Sequence, residues 1–156
     1  MLGSGLCLAL GCSPAADANA SDQNGEAPRS PARTAMIVHR DPTCGCCVAW
    51  AEIARKAGYQ VAIRDNRDMA GVKRRLGVPG ALASCHTVEV GGYVVEGHVP
   101  LDAVELLIRE RPTGVRGIAV PGMPIGSPGM EVPDGTRQPF QVIAFDARGR
   151  TAVFSG

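Results

Sequence analysis

The sequence of 156 residues has few aromatic side chains, almost no net charge and no long apolar run. Basic residues outnumber acidic ones by 16 to 15, so the formal net charge of +1 provides no electrostatic attraction for nucleic acid. No apolar stretch is long enough to form a permanent membrane-spanning helix. We therefore expect no nucleic-acid partner. The hydrophobic content of 45% is typical of a globular domain.

Residues 1–12 form a short apolar segment that ends in small residues before Cys12. This pattern resembles the lipobox of bacterial lipoprotein signals, in which the cysteine becomes acylated. It predicts export to the periplasm or cell envelope, with contact to the membrane through a lipid anchor at Cys12. Residues 13–33 are rich in Ala, Ser, Pro and Asp and lack a periodic apolar face, so they are expected to be a disordered linker. The folded domain is predicted to span residues 34–156.

Apolar periodicity and turn residues predict the element order β-α-β-α-β-β-α after the linker. The first strand is expected at residues 35–39, and a helix is expected from Val48 to Ala57, where apolar residues recur at helical spacing. Asp65 and Asn66 are the candidate caps of a second, short helix that ends at Gly77. This order, with a cysteine-rich loop after the first strand, predicts a thioredoxin-like α/β fold. Its mixed central sheet would be flanked by helices.

The C-terminal part of the chain has two further expected features. Residues 117–131 are too rich in glycine and proline for a regular helix or a central strand. They are also too apolar for a free linker, so we expect an ordered loop over the domain surface. Residues 140–145 and 151–154 flank a turn and predict a closing β-hairpin.

Three thiols occur within the four residues Cys44-Gly45-Cys46-Cys47. Clustered cysteines indicate redox or metal chemistry, because buried structural cysteines behave as small hydrophobic residues and occur singly. In the predicted fold, the loop before the third strand packs against this cysteine loop. That loop contains Cys85, which is therefore expected to reach the cluster as a fourth thiol.

Several kinds of chemistry are open to these thiols. Cys44 and Cys47 have CxxC spacing at a helix N-terminus, which favours a thiol–disulfide oxidoreductase but leaves Cys46 and Cys85 without a role. Structural disulfides fit less well, because a bond between neighbouring cysteines would be strained. Thiolates that converge from two segments favour a soft ion such as Cu(I), and bridging sulfur could hold several ions. Zinc is the alternative metal, and an iron–sulfur cluster is disfavoured in an oxidising compartment.

His86 and His98 are secondary candidates for metal ligation. His86 adjoins Cys85, but alternation along a strand would send neighbouring side chains to opposite faces. His98 precedes the last predicted helix, where it could cap the helix or reach the site. Either imidazole could contact the metal or one of its ligands.

Four separate motifs resemble those of the CopG-type copper-resistance proteins. They are Cys44-Gly45-Cys46-Cys47 with Trp50, Ser84–Thr87, Gly92–Pro100 and Gly122–Glu131. The resemblance implies a thioredoxin-like fold and a cysteine-bridged copper cluster. The ligands that it implies are Cys44, Cys46, Cys47 and Cys85.

The resemblance also implies a role in periplasmic copper resistance, with copper redox conversion as an associated activity. The function expected from the sequence is therefore a periplasmic protein that holds Cu(I) in a thiolate-bridged, multinuclear site. Other envelope copper-handling proteins are the expected partners. A thiol–disulfide oxidoreductase that uses Cys44 and Cys47 is the alternative, so whether the protein is an enzyme stays open.

Overall fold

A computed structural model describes residues 33–155. Within this part, the chain forms three α-helices, a short 3-10 helix and a seven-stranded sheet. The helices are α1 (Gly45–Lys56), α2 (Met69–Leu76) and α3 (Leu101–Glu110). The strands are β1 (Arg33–Arg40), β2 (Tyr59–Asp65), β3 (His86–Val90), β4 (Tyr93–Glu96), β5 (Gly117–Ala119), β6 (Ile143–Phe145) and β7 (Thr151–Val153).

The predicted α/β class and mixed sheet are confirmed. The predicted signal segment with Cys12, and all of the predicted linker except its last residue, lie outside the described residues. In the described part of the chain, no helix combines the length and the apolar character that a membrane crossing requires.

The sheet order places the cysteine loop and Cys85 at the same edge. The strands lie in the order β2-β1-β3-β4-β5-β6-β7; β1 is parallel to β2 and β4 to β5, and the other neighbours are antiparallel. Arg40, the last residue of β1, lies opposite His86, the first residue of β3. The chain that leaves β1 and the chain that enters β3 therefore meet at one edge of the sheet.

Helix α1 buries one face against the sheet. Its buried residues recur at the spacing of a single helical face: Cys47, Trp50, Ala51 and Ala54. Trp50 has no exposed surface, and its Nε1 donates a hydrogen bond of 2.9 Å to the Val99 carbonyl. The N-terminal end of α1 is thus fixed to the segment that leads into α3.

The predicted N-terminal caps of the second helix, Asp65 and Asn66, are wrong, whereas its predicted end at Gly77 is confirmed. The N-cap of α2 is Asp68, whose Oδ1 accepts a hydrogen bond of 2.8 Å from the Gly71 amide. Asp65 instead ends β2, where its carboxylate lies 3.0 Å from Nε of Arg40 on the neighbouring strand. Asn66 follows the strand, and its side-chain nitrogen Nδ2 donates a hydrogen bond to the Arg64 carbonyl. Pairing with β1 thus carries β2 through Asp65, so this residue is part of the strand and not of the helix cap.

The prediction that residues 117–131 contain no central strand is also wrong at its start. Gly117–Ala119 forms β5, between β4 and β6. Position 117 requires glycine, because a Cβ there would lie 2.2 Å from the Val94 carbonyl oxygen and 2.6 Å from the Phe145 ring. A strand this short ends before the prolines begin, so the overall composition of the segment hid it.

The rest of that segment, residues 120–131, is an ordered loop as predicted, and we call it the strap. The Gly126 amide donates to the Met130 carbonyl at 2.9 Å, and the Met130 amide donates to the Ser127 carbonyl at 2.8 Å. Gly129 has a φ of +83°, and a Cβ there would lie 2.8 Å from the amide nitrogen of Trp50. The strap therefore packs against the first turns of α1. The predicted C-terminal hairpin is present as the antiparallel pair of β6 and β7.

Replacing Gly129 by alanine is expected to destabilise the fold by about 3 kcal/mol, through left-handed backbone strain and overpacking together. Gly135 is the matched control, since its φ is +74° but a Cβ there would have no neighbour within 4 Å. Gly135→Ala should cost only about 1 kcal/mol. Urea denaturation of both variants measures the difference. Equal losses would show that the strap does not depend on close contact with α1.

Candidate metal centre

Four cysteine sulfur atoms converge at the edge where β1 ends and β3 begins. The Sγ atoms of Cys44 and Cys46 are 3.4 Å apart, and those of Cys46 and Cys85 are 3.8 Å apart. All four sulfurs, including that of Cys47, lie within 4.8 Å of one another. The structure thus brings together the four predicted ligands. The approach of Cys85, which is 39 residues from Cys46, agrees with the argument from strand order.

Two of the four cysteines are joined by a disulfide. Cys44 and Cys47 form a disulfide, whereas Cys46 and Cys85 are free thiols. Cys47 is fully buried and the other three cysteines are half-buried. Since the thiolate is the form that binds metal, two electrons must reduce the disulfide before all four sulfurs can act as ligands.

The Arg40 side chain holds the backbone of the cysteine loop. Its Nη1 donates to the carbonyls of Asp41 at 3.4 Å and Cys44 at 3.1 Å. The Asp41 carboxylate in turn accepts from the hydroxyl of Thr43 at 2.5 Å and from its backbone amide at 2.8 Å, and these bonds lower the pKa of Asp41. The loop conformation therefore has supports other than the disulfide.

Both histidine candidates contact Cys85. The Cys85 Sγ lies 2.9 Å from Nε2 of His98 and 3.3 Å from Nδ1 of His86. Nδ1 of His98 lies 2.8 Å from the Pro128 carbonyl, which can only accept, so Nδ1 carries the proton and Nε2 accepts from the Cys85 thiol. The alternation argument against His86 fails, because Cys85 precedes β3 and its side-chain direction is not set by the strand.

Burial keeps these three groups uncharged at neutral pH. It raises the pKa of the Cys85 thiol to about 12, with the nearby Cys46 as the next cause. It lowers the pKa of His86 to about 3, with further contributions from His98 and Lys73, and it also lowers the pKa of His98. A metal that binds here must therefore displace the proton of Cys85.

The donor atoms fit a soft or borderline metal ion. Thiolates and imidazoles are the ligands that Cu(I) and zinc prefer, and Cys85, His86 and His98 form a second group of ligand atoms within 4.8 Å of one another. Nε2 of His86 is buried and has no hydrogen-bond partner among residues 33–155. Most buried side-chain polar atoms in folded proteins have a partner, so this nitrogen has a free position for a metal ion or a water molecule.

Two contributors to the centre were not predicted from the sequence. The Pro128 carbonyl, in the strap, sets the orientation and protonation of His98. The Arg40 guanidinium organises the loop. The position of Arg40 shortly before the cysteines could have indicated its role from the sequence. No local pattern could have indicated the Pro128 carbonyl, which lies 30 residues from His98 in the chain.

Comparisons with known proteins agree with this description. A family model described as "Protein of unknown function, DUF411" matches residues 82–130. The chain is similar to two solved structures, both named copper resistance protein CopG, form 1 and form 2. Each is 42% identical over 78% of this chain, with 94% and 95% of the respective chains covered and TM-scores of 0.72 and 0.73. Among curated proteins, no match was found.

Cys85 of the metal-free, disulfide-bonded protein is expected to react slowly with iodoacetamide. Because only the thiolate reacts, its rate should rise about tenfold per pH unit from pH 7 to pH 10 without levelling off. Mass spectrometry of the tryptic peptide 76–109 follows this reaction, with glutathione as the reference thiol. A plateau at or below the ordinary thiol pKa of 9.0 would contradict the raised pKa of Cys85.

Proposed function

Because the chain belongs to the CopG family of copper resistance proteins, we propose that it binds Cu(I) through Cys44, Cys46, Cys47 and Cys85. The observation that carries this proposal is the convergence of the four sulfur atoms within 4.8 Å. Thiolates are preferred ligands of Cu(I), and four exceed what one linear or trigonal ion needs. The sulfur atoms would therefore bridge several ions in one multinuclear site.

His86 and His98 are the further ligands or ligand neighbours in this proposal. Both imidazoles are neutral and lie within 3.3 Å of the Cys85 sulfur. Once a bound metal displaces the Cys85 proton into solvent, Nε2 of His98 no longer receives a hydrogen bond from the thiol. That nitrogen is then available to the metal or to a neighbouring donor.

The disulfide supports copper redox conversion as an associated activity. An external thiol reductant would supply the two electrons and two protons that convert the Cys44–Cys47 disulfide into two thiols, which each lose a proton when they bind Cu(I). In the opposite direction, two Cu(II) ions can take one electron each from the two thiols. That step yields the disulfide, two Cu(I) ions and two protons.

We further propose a thioredoxin-like fold and a place in the cell envelope. The order β1-α1-β2-α2-β3-β4-α3, with Cys44 as the N-cap of α1 and with Cys46 and Cys47 in its first turn, supports the fold. The apolar segment 1–12 supports export to the periplasm, with a lipid anchor at Cys12. An exported protein is in a compartment where a disulfide persists and where other copper-handling proteins could exchange metal with it.

The second candidate function is thiol–disulfide exchange, and the Cys44–Cys47 disulfide is the observation that favours it. A CxxC disulfide at the start of a helix is the arrangement of dithiol oxidoreductases. This function needs Cys44 and Cys47 but neither Cys46 nor Cys85. Copper binding in a shared cluster needs all four cysteines, and this difference separates the two functions.

The reduced full chain, loaded with excess Cu(I) without oxygen and then freed of loosely held metal, is expected to retain more than about two copper ions, because sulfur bridging allows this number. Cys46→Ser and Cys85→Ser should each lose most of this copper. Both variants should still reduce a small disulfide substrate if Cys44 and Cys47 also exchange disulfides. Metal analysis per protein and a disulfide-reduction assay measure the two properties.

The matched control removes Cys7 and Cys12, which the proposal does not use. Cys7→Ser/Cys12→Ser should retain the copper content of the unmodified chain, because the proposed ligands are Cys44, Cys46, Cys47 and Cys85. Little or no bound copper, together with a Cys44–Cys47 pair that cycles readily, would refute the copper proposal and leave the oxidoreductase.

A further inference from the structure

A buried ion pair lies beside the segment that carries Cys85. Oε1 of Glu96 is 2.5 Å from Nζ of Lys73, and the Glu96 side chain has no exposed surface while that of Lys73 is 12% exposed. Removing two charges from water is costly, and an apolar pair of similar volume often gives equal or higher stability. A buried pair at this position therefore calls for an explanation other than stability.

The other hydrogen bonds of Glu96 supply that explanation. Its Oε1 also accepts from the Ser84 amide at 2.6 Å, and its Oε2 accepts from the Thr87 hydroxyl at 2.6 Å. Ser84 and Thr87 flank the pair Cys85-His86 in the sequence. Lys73 also donates to the Thr87 hydroxyl, at 3.0 Å. The Glu96 carboxylate thus holds the chain on both sides of Cys85.

The sheet itself does not hold Cys85. Strand β3 begins at His86, so the strand pairing that fixes the following residues stops one position short of the thiol. Ser84, on its other side, is bound to the Glu96 carboxylate through its amide and to the strap through its hydroxyl, which donates to the Gly122 carbonyl. The position of the Cys85 backbone therefore depends on how firmly Ser84 is held.

We propose that Glu96 is a positioning residue that sets the place of Cys85 opposite Cys46 in the metal centre. It acts through the Ser84 amide and the Thr87 hydroxyl and does not touch the metal. Lys73 neutralises the carboxylate and keeps it in the interior. The purpose of this arrangement rests on the proposed copper function, whereas the positioning itself can be tested without copper.

Two double variants separate the hydrogen bonds from the charges. Lys73→Met/Glu96→Leu replaces the ion pair by apolar side chains and leaves the Ser84 amide without its acceptor. Lys73→Met/Glu96→Gln also removes both charges, but its amide oxygen can still accept from Ser84 and its amide nitrogen can donate to the Thr87 hydroxyl. The two proteins are neutral at this site and similar in volume, so they differ mainly in these bonds.

The metal-free readout is the rate at which diamide joins Cys46 to Cys85 in the full chain with the Cys44–Cys47 disulfide intact. The two thiols give two electrons and two protons to diamide, and the new disulfide links the tryptic peptides 41–55 and 76–109. Lys73→Met/Glu96→Leu (the Leu variant) should form this link about tenfold more slowly than the wild type, since the reaction of two sulfur atoms requires close alignment. The linking rate of Lys73→Met/Glu96→Gln (the Gln variant) should stay within about twofold of the wild-type rate.

Copper content is the second readout. After reduction and loading with Cu(I), the Leu variant should lose as much copper as Cys85→Ser, while the Gln variant should retain the copper of the wild type. If the wild type itself binds no copper, the proposed function fails, but the linking rates still decide whether Glu96 positions Cys85. A folded Leu variant that links Cys46 to Cys85 as fast as the Gln variant overturns the inference.

Glu96→Asp decides the question if the Leu variant does not fold. It keeps the charge next to Lys73 but withdraws the acceptor from the Ser84 amide by about 1.5 Å, the length of one carbon–carbon bond. The Asp variant should also link Cys46 to Cys85 more slowly than the wild type. A linking rate equal to that of the wild type overturns the inference.

Discussion

The register between β1 and β3 is the constraint on which the candidate metal centre depends. Val38 pairs with Val88 in this antiparallel ladder, and both side chains are fully buried. A slip by one residue would move the side chains of a strand to the opposite face, so the apolar core holds the register firmly. The same register sets Arg40 opposite His86. Core packing thus determines that the cysteine loop and Cys85 meet.

The surroundings of Cys85 are suited to receiving a cation. Burial raises the pKa of this thiol and lowers the pKa of His86, so both groups are neutral in the metal-free protein. Neutral groups avoid the large desolvation cost that buried thiolates would bring without a partner. A bound soft cation would supply the compensating charge and take the place of the proton. Such an ion and protons would therefore compete for Cys85.

The sequence predicted the elements that rest on local patterns and missed those that depend on distant partners. Periodicity revealed the order from β1 to α3, and strand order indicated the approach of Cys85. The three-residue strand β5 escaped detection because its stability comes from pairing with β4 and β6, not from its own composition. The contact between His98 and the Pro128 carbonyl leaves no trace in either local sequence.

The contacts that position the four cysteines and His98 come from three separate parts of the chain. Their separation determines what happens when the Cys44–Cys47 disulfide is reduced. Arg40 holds the cysteine loop, Glu96 holds the segment before Cys85, and the strap holds His98 through Pro128. None of these contacts involves the Cys44–Cys47 disulfide. Reducing that bond would free two thiols without removing the contacts that position the other sulfurs. A framework of this kind would let one set of sulfurs serve as a disulfide and, once reduced, as the proposed metal site.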